Sequence, residues 1–239
     1  MSKPYELVLD GPNKNALSRA LLRSILTRMD EHEGEPLLLR GELGVFSAGV
    51  DLKEILSLDE AGMREFLGLL DQVCTRLFSW PAPTVALVEG HAIAGGAVLA
   101  LACDLRVAHA DPRTRIGLTE VAVGVMFPPA VWKLVTHRIP PQSRDQVLLG
   151  ASLHTPGRAK ELGLVDEVLE DAAATARSRL RAMSRYDQGV YARTKAMLHA
   201  GVTDVTPEET ARFLGEVAPA WTSPELRARL RTFLSGGEG

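Results

Sequence analysis

Three stretches of this chain carry almost no charge, and they restrict its fold more than any other feature of the sequence. Leu43–Val50 and Gly90–Cys103 contain no Asp, Glu, Lys or Arg, and Ile116–Trp132 contains only Glu120. Gly and Ala are frequent in these stretches, so their backbone can come close to a bound molecule. The stretches therefore predict a binding site that is built largely from main-chain atoms.

Glu120 is the candidate for chemistry because it is a lone carboxylate in apolar sequence. Such a group tends to have a raised pKa and can carry protons near neutral pH. The alternative is that Glu120 ends a strand and pairs with a nearby Arg. The glycines also have plain alternatives, since Ser47–Gly49 can be a simple turn and Ala94–Gly96 can serve close helix–strand packing. The residues alone leave these alternatives open.

Hydrophobic periodicity places the main elements. Apolar residues at helical spacing predict a long amphipathic helix over Glu60–Phe78, and the run Thr84–Val88 is typical of a buried strand. Arg115–Thr119 is predicted to be a further strand. Asn15 is predicted to cap the helix that follows it. After Asp171 the sequence becomes charged and helical, which predicts a core over residues 1–171 and a helical region over residues 172–239.

Composition excludes several functional classes. The chain has 27 Lys and Arg against 30 Asp and Glu, and 5% aromatic residues, which argues against nucleic-acid binding. Cys74 and Cys103 form no CxxC pair, so neither a disulfide framework nor a cysteine-based zinc site is expected, and the scattered histidines show no metal-ligand spacing. No signal-peptide pattern or membrane-length apolar run is present. We therefore expect a cytoplasmic protein that is not inserted in a membrane.

Six motifs follow one another within residues 6–170. Their order and spacing resemble the enoyl-CoA hydratase/isomerase (crotonase) superfamily. This resemblance implies an α/β fold in which repeated ββα turns form two sheets, followed by a C-terminal helical region that packs trimers or hexamers. The motifs are Asn15–Leu17, Val45–Leu52, Gly90–Gly96, Ala102–Asp104, Ile116–Val121 and Ala159–Val168.

The resemblance also implies a site for an acyl-CoA thioester. By position, the backbone N–H groups of Val50 and Gly95 form an oxyanion hole, and Glu120 is the catalytic acid/base. Two fixed donors suit proton removal next to a thioester, because they stabilise the enolate oxygen. No cofactor is implied beyond the CoA of the substrate. The matching substrate-binding and CoA-binding positions are Ser47, Ala48, Gly49, Leu52, Gly96, Val98 and Phe127.

Two positions indicate which reaction of the superfamily applies. Hydratases of the family use two glutamates to hold water, and here the first of these positions is Val98 while the second is Glu120. The sequence is closer to the mitochondrial-type Δ3,Δ2-enoyl-CoA isomerases, which similarly have an apolar residue at the first position. An isomerase needs one acid/base, which removes a proton from C2 and returns it at C4, and the apolar Val98 helps because it excludes water.

Other functions remain open at this point. A hydratase or lyase would need a substitute for the missing carboxylate, for which Glu54, Asp71 and Glu89 are candidates. A CoA-thioester hydrolase that works from Glu120 alone is a further alternative. A non-catalytic acyl-CoA binder is another, and in that case Glu120 would be dispensable.

Two further expectations concern side chains outside these motifs. Phe127 is the best aromatic candidate for the acyl pocket, while Trp132 is expected to lie in the core. Arg227, Arg229 and Arg231 lie where the family often has basic residues near the CoA phosphates, and a solvated basic face is the favoured interpretation.

Overall fold

A computed structural model describes residues 4–42 and 44–234 of the chain. It contains two parallel sheets, as expected for the crotonase-like fold. The larger sheet has five strands in the order β1-β2-β3-β5-β7, and the smaller one pairs β4 with β6. The strands are β1 (Tyr5–Leu9), β2 (Leu37–Gly41), β3 (Thr84–Val88), β4 (Ala92–Ile93), β5 (Leu105–His109), β6 (Ile116–Gly117) and β7 (Glu167–Leu169).

Helices follow most strands and continue to the end of the described chain. Short 3₁₀ or π turns at Pro141–Ser143, Phe213–Val217 and Ala218–Thr222 connect some of them. The helices are α1 (Pro12–Asn15), α2 (Arg19–Glu31), α3 (Leu52–Ser57), α4 (Glu60–Phe78), α5 (Gly95–Ala102), α6 (Glu120–Val123), α7 (Pro129–Arg138), α8 (Arg144–Leu148), α9 (Pro156–Glu161), α10 (Ala172–Met183), α11 (Gln188–His199), α12 (Pro207–Arg212) and α13 (Pro224–Leu234).

The central strand β3 has the bounds that the sequence predicts, and all five of its residues are buried. A strand buried on both faces reads as a continuous apolar run rather than an alternating one. One face of the sheet packs against the main core. The other face presents Leu38, Val85, Leu87 and Val107 to α10, which contributes Ala172, Ala176 and Leu180.

Helix α4 also has the predicted bounds. Its apolar residues recur at three- and four-residue spacing, and they form one buried stripe against the core. The Asp59 side chain accepts a hydrogen bond from the Gly62 N–H and so caps the first turn. The carboxyl end of the helix stops at Phe78, just before the Pro81–Pro83 turn that leads into β3.

The prediction that Asn15 caps α2 is wrong, because Ser18 caps that helix by accepting from the Leu21 N–H. Asn15 instead ends a left-handed turn in which Asn13, Lys14 and Asn15 have φ values of 54°, 63° and 56°. The buried Asn15 amide donates to the carbonyl oxygens of Val45 at 2.8 Å and Glu42 at 3.1 Å. Its role is therefore to hold the loop that precedes Ser47.

The predicted strand over Arg115–Thr119 is too long. Only Ile116 and Gly117 pair with β4, because Thr119 already forms the N-terminal boundary of α6. Isolated bridges extend this small sheet: Ser47 pairs with Ala92, Leu17 with Val50, and Ile116 with His154. The small sheet thus brings the three uncharged stretches together.

The C-terminal helices share the core of the preceding residues. Phe213, Trp221, Leu226 and Leu230 are buried in the main hydrophobic cluster, while α10 covers the large sheet. The division at residue 171 and the use of the helical region for trimer packing stay predictions.

Candidate active site

The two glycine-rich segments lie directly against each other. A Cβ atom on Gly96 would stand 2.7 Å from the Ser47 carbonyl oxygen, and one on Gly49 would stand 2.7 Å from the Ile93 oxygen. Gly49 also has a φ of +88°, which L side chains rarely adopt. The glycines are thus required by the contact between the two segments.

The Ser47 side chain stabilises this contact through buried hydrogen bonds. Its side chain is fully buried; the hydroxyl donates to the Asn15 carbonyl at 2.8 Å and accepts from the Gly49 N–H at 3.2 Å. The hydroxyl is therefore engaged inside the protein, which supports a role in shaping the loop. A direct substrate contact of Ser47 stays a prediction.

The predicted oxyanion-hole residues are neighbours. A Cβ atom on Gly95 would lie 3.9 Å from the Val50 nitrogen and 3.7 Å from its Cγ1. Gly95 is the first residue of α5, so its N–H has no partner within the helix. Among the described residues, neither the Val50 nor the Gly95 N–H donates a hydrogen bond. Two backbone donors are thus available side by side at the amino end of a buried helix.

The backbone before Gly95 is strained. Ala94 has a φ of 49° and a ψ of −122°, a combination that costs of the order of 1–3 kcal/mol for a residue other than Gly. Its N–H donates to the Gly117 carbonyl at 2.8 Å and its carbonyl accepts from Val98. These bonds hold the turn that orients the Gly95 amide.

Glu120 begins α6 and is buried, with only 8% of its surface exposed. The alternative of an ion pair with Arg is wrong, because the structure shows no salt bridge to Glu120 within the described residues, and its Oε2 has no hydrogen-bond partner there. Burial raises the pKa of the Glu120 carboxyl to about 7, against the lowering effect of the backbone N–H groups of Glu120 and Thr119. A carboxyl with this pKa can both accept and return a proton near neutral pH.

A small cavity of about 20 Å³ joins Glu120 to the two backbone donors. Glu120 is the only acidic residue that lines it among the described residues, and Val98, which is 2% exposed, occupies the position that the resemblance assigns to a hydratase's second glutamate. The cavity is lined by Val50, Leu70, Gly95, Val98, Glu120, Met126, Phe127, Pro128, Val131 and Trp221.

None of the candidate substitutes for a second carboxylate lines this cavity. Glu54 pairs with Arg19 at 2.7 Å, and Glu89 is exposed. Asp71 lies on α4 beside the cavity residue Leu70, and burial raises the pKa of its carboxyl. Asp71 nevertheless lines neither cavity of the site.

A larger, mainly apolar cavity of about 760 Å³ continues from Glu120 toward the surface. Phe127 lines both cavities, as a pocket residue should. Trp132 also lines the larger one and is 47% exposed, so its expected place in the core is wrong. At the rim, the Lys133 ammonium pairs with Glu209 at 2.9 Å.

Arg229 and Arg231 of α13 are exposed, as expected for a solvated basic face, while Arg227 is half-buried. Arg227 donates to the Leu58 carbonyl at 2.6 Å, and Arg229 donates to the Val123 carbonyl at 2.9 Å. These bonds tie α13 to the turns that flank the site.

The remaining predicted CoA positions lie before and at the start of α3 and in the first turn of α5. The Ala48 N–H donates to the Lys14 carbonyl at 3.1 Å, and the half-buried Leu52 is the first residue of the helix. Gly96, buried in the first turn of α5, packs on Ser47. Their contacts with CoA stay predictions.

Sequence reasoning missed Trp221. This residue is 5% exposed and lines the small cavity, although it lies about a hundred residues after Glu120 in the C-terminal region. Its indole Nε1 is buried and has no hydrogen-bond partner among the described residues. Neither periodicity nor a motif distinguishes it from an ordinary core Trp.

Within residues 4–42 and 44–234, no helix combines the length and apolar character needed to cross a membrane. In the same part of the chain, His, Cys, Asp and Glu side chains form no group of three or more that could hold a metal ion.

Known proteins are similar to this chain in sequence and in fold. The profile of the enoyl-CoA hydratase/isomerase family matches residues 5–215. The enoyl-CoA isomerase/hydratase fer4 of Mycosarcoma maydis is 38% identical over 179 residues, which are 69% of this chain and 64% of that protein. The mitochondrial methylglutaconyl-CoA hydratase of Mus musculus is 30% identical over 162 residues, or 66% of this chain and 51% of that protein.

The fold comparison agrees with the sequence comparison. The crystal structure of human mitochondrial Δ3,Δ2-enoyl-CoA isomerase superposes with a TM-score of 0.85 at 23% identity, covering 95% of this chain and 90% of the human chain. At this identity the likeness shows the fold. The profile match over most of the chain shows more, and the chain belongs to the enoyl-CoA hydratase/isomerase family.

Proposed function

We propose that the chain isomerises 3-enoyl-CoA thioesters to 2-enoyl-CoA thioesters, with Glu120 as the one proton carrier. One observation supports this proposal above all. Among the described residues, Glu120 is the one carboxylate that lines the cavity at Val50 and Gly95, and Val98 lies where a hydratase of the family has its second glutamate.

The first step of the proposed reaction is proton removal from C2. The thioester carbonyl accepts hydrogen bonds from the Val50 and Gly95 N–H groups, while the ionised Glu120 takes the proton. The electron pair of the C2–H bond then enters the conjugated system, and negative charge develops on the carbonyl oxygen. A preorganised donor at such an oxygen contributes about 100- to 1,000-fold in rate.

The second step returns the same proton at C4. The dienolate accepts it from the Glu120 carboxylic acid, the double bond moves from C3–C4 to C2–C3, and the carboxylate is regenerated. Because burial raises the pKa of Glu120 to about 7, the acid and base forms have similar populations near neutral pH. Neither step requires a metal or any group beyond the CoA thioester.

The apolar wall around Glu120 favours isomerisation over hydration. Val98 and Leu70 line the cavity beside Glu120 and neither can orient an attacking water. The 2-enoyl product is the substrate of hydratases, so a site that releases it unchanged must keep water from C3.

The test is steady-state turnover of a 3-enoyl-CoA, followed by the absorbance of the conjugated 2-enoyl thioester. Glu120→Gln keeps the shape of the side chain and removes the proton carrier, and we expect kcat to fall by roughly 100- to 10,000-fold. Glu89→Gln is the matched control, since Glu89 is exposed and outside both cavities. Equal activity in the Glu120→Gln enzyme would overturn the proposal.

The oligomer expected from the resemblance, a homotrimer or hexamer, is part of the same proposal. Several large apolar side chains of α11 and the residues before it are exposed in the single chain, among them Tyr186, Val190, Met197 and Leu198. Sedimentation equilibrium of the purified protein measures the assembly. A monomer at micromolar concentration would contradict this part of the proposal.

A further inference from the structure

Two side chains that line the small cavity each have a buried polar atom without a hydrogen-bond partner among the described residues. Glu120 Oε2 and Trp221 Nε1 are both buried, and neither has a hydrogen-bond partner among the residues described by the structure. Both residues line the same cavity. A carboxylate oxygen accepts hydrogen bonds and an indole N–H only donates them, so the two atoms suit one shared partner.

The cavity has the size of such a partner. Its volume of about 20 Å³ exceeds the roughly 10–15 Å³ that one water molecule requires. A buried water also needs two or more polar neighbours, and Trp221 supplies a donor while Glu120 supplies an acceptor. The rest of the lining is apolar side chain, apart from the backbone at Val50 and Gly95.

We propose that Trp221 is a positioning residue that acts on Glu120 through one water molecule in the substrate-free enzyme. The indole N–H donates to the water oxygen, and the water donates one of its protons to Glu120 Oε2. This inference rests on the proposed role of Glu120 as the base. Its consequence is that the bridge lowers the pKa of Glu120 in the free enzyme, because a hydrogen bond to a carboxylate favours the charged state.

Substrate binding removes this bridge. C2 must contact Glu120 while the thioester oxygen accepts from the Val50 and Gly95 N–H groups, and a cavity of about 20 Å³ does not hold an acyl group and the water together. The carboxylate therefore loses its donor as C2 arrives, and it becomes a stronger base at that moment. The same displacement removes the one water that stands next to Glu120.

Charged side chains near Glu120 do not explain a shift in the Glu120 pKa when Trp221 is replaced. Burial is the main cause of the raised pKa of Glu120, and no charged side chain contributes to it. On α13, Arg227 and Arg229 donate to the carbonyls of Leu58 and Val123. Further charged residues line only the larger cavity, namely Lys133, Glu209, Arg212 and Glu216.

Two variants remove the indole N–H in different ways. Site-specific replacement of Trp221 by 3-benzothienylalanine keeps the shape of the indole and puts sulfur in the place of the N–H. Trp221→Phe removes the N–H together with part of the ring. Trp80→Phe is the control, because Trp80 is equally buried but donates to the Glu35 carbonyl at 2.8 Å, away from the site.

The first measurement is the titration of Glu120 by ¹³C NMR on protein labelled at the glutamate carboxyl carbon, with Glu120→Gln to assign the signal. We expect both Trp221 variants to raise the midpoint by about one pH unit, which is a tenfold change in proton affinity, and Trp80→Phe to leave it unchanged. An unchanged midpoint in the benzothienyl variant overturns the inference, and so does an equal shift in Trp80→Phe. This measurement needs no turnover, so it separates the inference from the proposed function.

The second measurement is the pH dependence of isomerisation. The profile of kcat/KM reports the free enzyme and that of kcat reports the substrate complex. We expect the Trp221 variants to gain up to about tenfold in kcat/KM at high pH, because substrate no longer has to displace the water, with wild-type values below the midpoint and an unchanged kcat profile. A loss that is equal at every pH overturns the inference, because it is the signature of a purely structural role.

Discussion

The burial of Glu120 predicts a conflict between stability and activity. Burial holds the pKa of its carboxyl at about 7 in the folded chain, against an ordinary value of 4.5. Below pH 4.5 the carboxyl is protonated in both the folded and the unfolded state, so its ionisation does not lower the unfolding free energy. Between pH 4.5 and 7 the unfolded chain ionises first, and stability falls as pH rises.

The magnitude follows from the two pKa values. Above pH 7 the difference between about 7 and 4.5 corresponds to up to about 3 kcal/mol of lost unfolding free energy. Glu120→Gln has no proton to lose and keeps the shape of the side chain. We therefore expect it to be more stable than wild type by up to about 3 kcal/mol at pH 8 and equal to it near pH 4.5, although it is inactive.

Urea unfolding at fixed protein concentration measures this effect at pH 4.5, 6, 7 and 8. In a thermal scan at pH 8, about 3 kcal/mol corresponds to a rise in Tm of roughly 6–12 °C for a chain of this size. Glu89→Gln, at an exposed position, should give no pH-dependent difference. A stability difference between wild type and Glu120→Gln that is the same at every pH, or a variant less stable at pH 8, would refute the reasoning.

Three further predictions follow from the same geometry. Gly96→Ala places a Cβ atom 2.7 Å from the Ser47 carbonyl oxygen and should lower both Tm and kcat. Gly68 has open space around it in the middle of α4, so the control Gly68→Ala should raise the unfolding free energy by about 0.5–1 kcal/mol. Urea titrations distinguish the two variants, and a stable, fully active Gly96→Ala would count against the close contact. Asn15→Ala removes the amide that donates to the loop carbonyls of Glu42, Val45 and Phe46 and should lower the unfolding free energy by about 1–3 kcal/mol together with kcat/KM, which calorimetry and steady-state assays measure. The kcat of isomerisation should rise about tenfold per pH unit below pH 7 and become constant above pH 7, because burial raises the pKa of Glu120 to about 7. A stopped assay across pH 5–9 that shows a flat profile would contradict the assignment of the base.

Much of the fold was predictable because long periodic segments carry their own signal. The bounds predicted for Glu60–Phe78 and Thr84–Val88 are correct. The stripe of apolar residues in the helix and the unbroken apolar run in the strand indicate burial without any information on tertiary contacts. Short elements were less predictable. Arg115–Thr119 has strand-like residues, but the start of α6 at Glu120 limits pairing to Ile116–Gly117.

The site was predictable where it depends on absent side chains and absent charge. The lone Glu120 and the two glycine-rich segments stand out in the sequence, and in the structure Val50 and Gly95 of those segments line one cavity with Glu120. Asn15 was misassigned because a left-handed turn and a helix cap favour the same residue type. Trp221 was missed because only tertiary packing brings a residue of the C-terminal region to the small cavity.

The most direct test of the central claim follows one reaction in heavy-oxygen water by mass spectrometry. Purified enzyme is incubated with a 3-enoyl-CoA and, separately, with a 2-enoyl-CoA, with Glu120→Gln alongside. The account predicts conversion of the 3-enoyl substrate to the 2-enoyl isomer without a gain in mass, and loss of this conversion in the variant. Addition of one labelled water to the 2-enoyl substrate as the main reaction would contradict it, because Glu120 would then have a catalytic partner that this site does not contain.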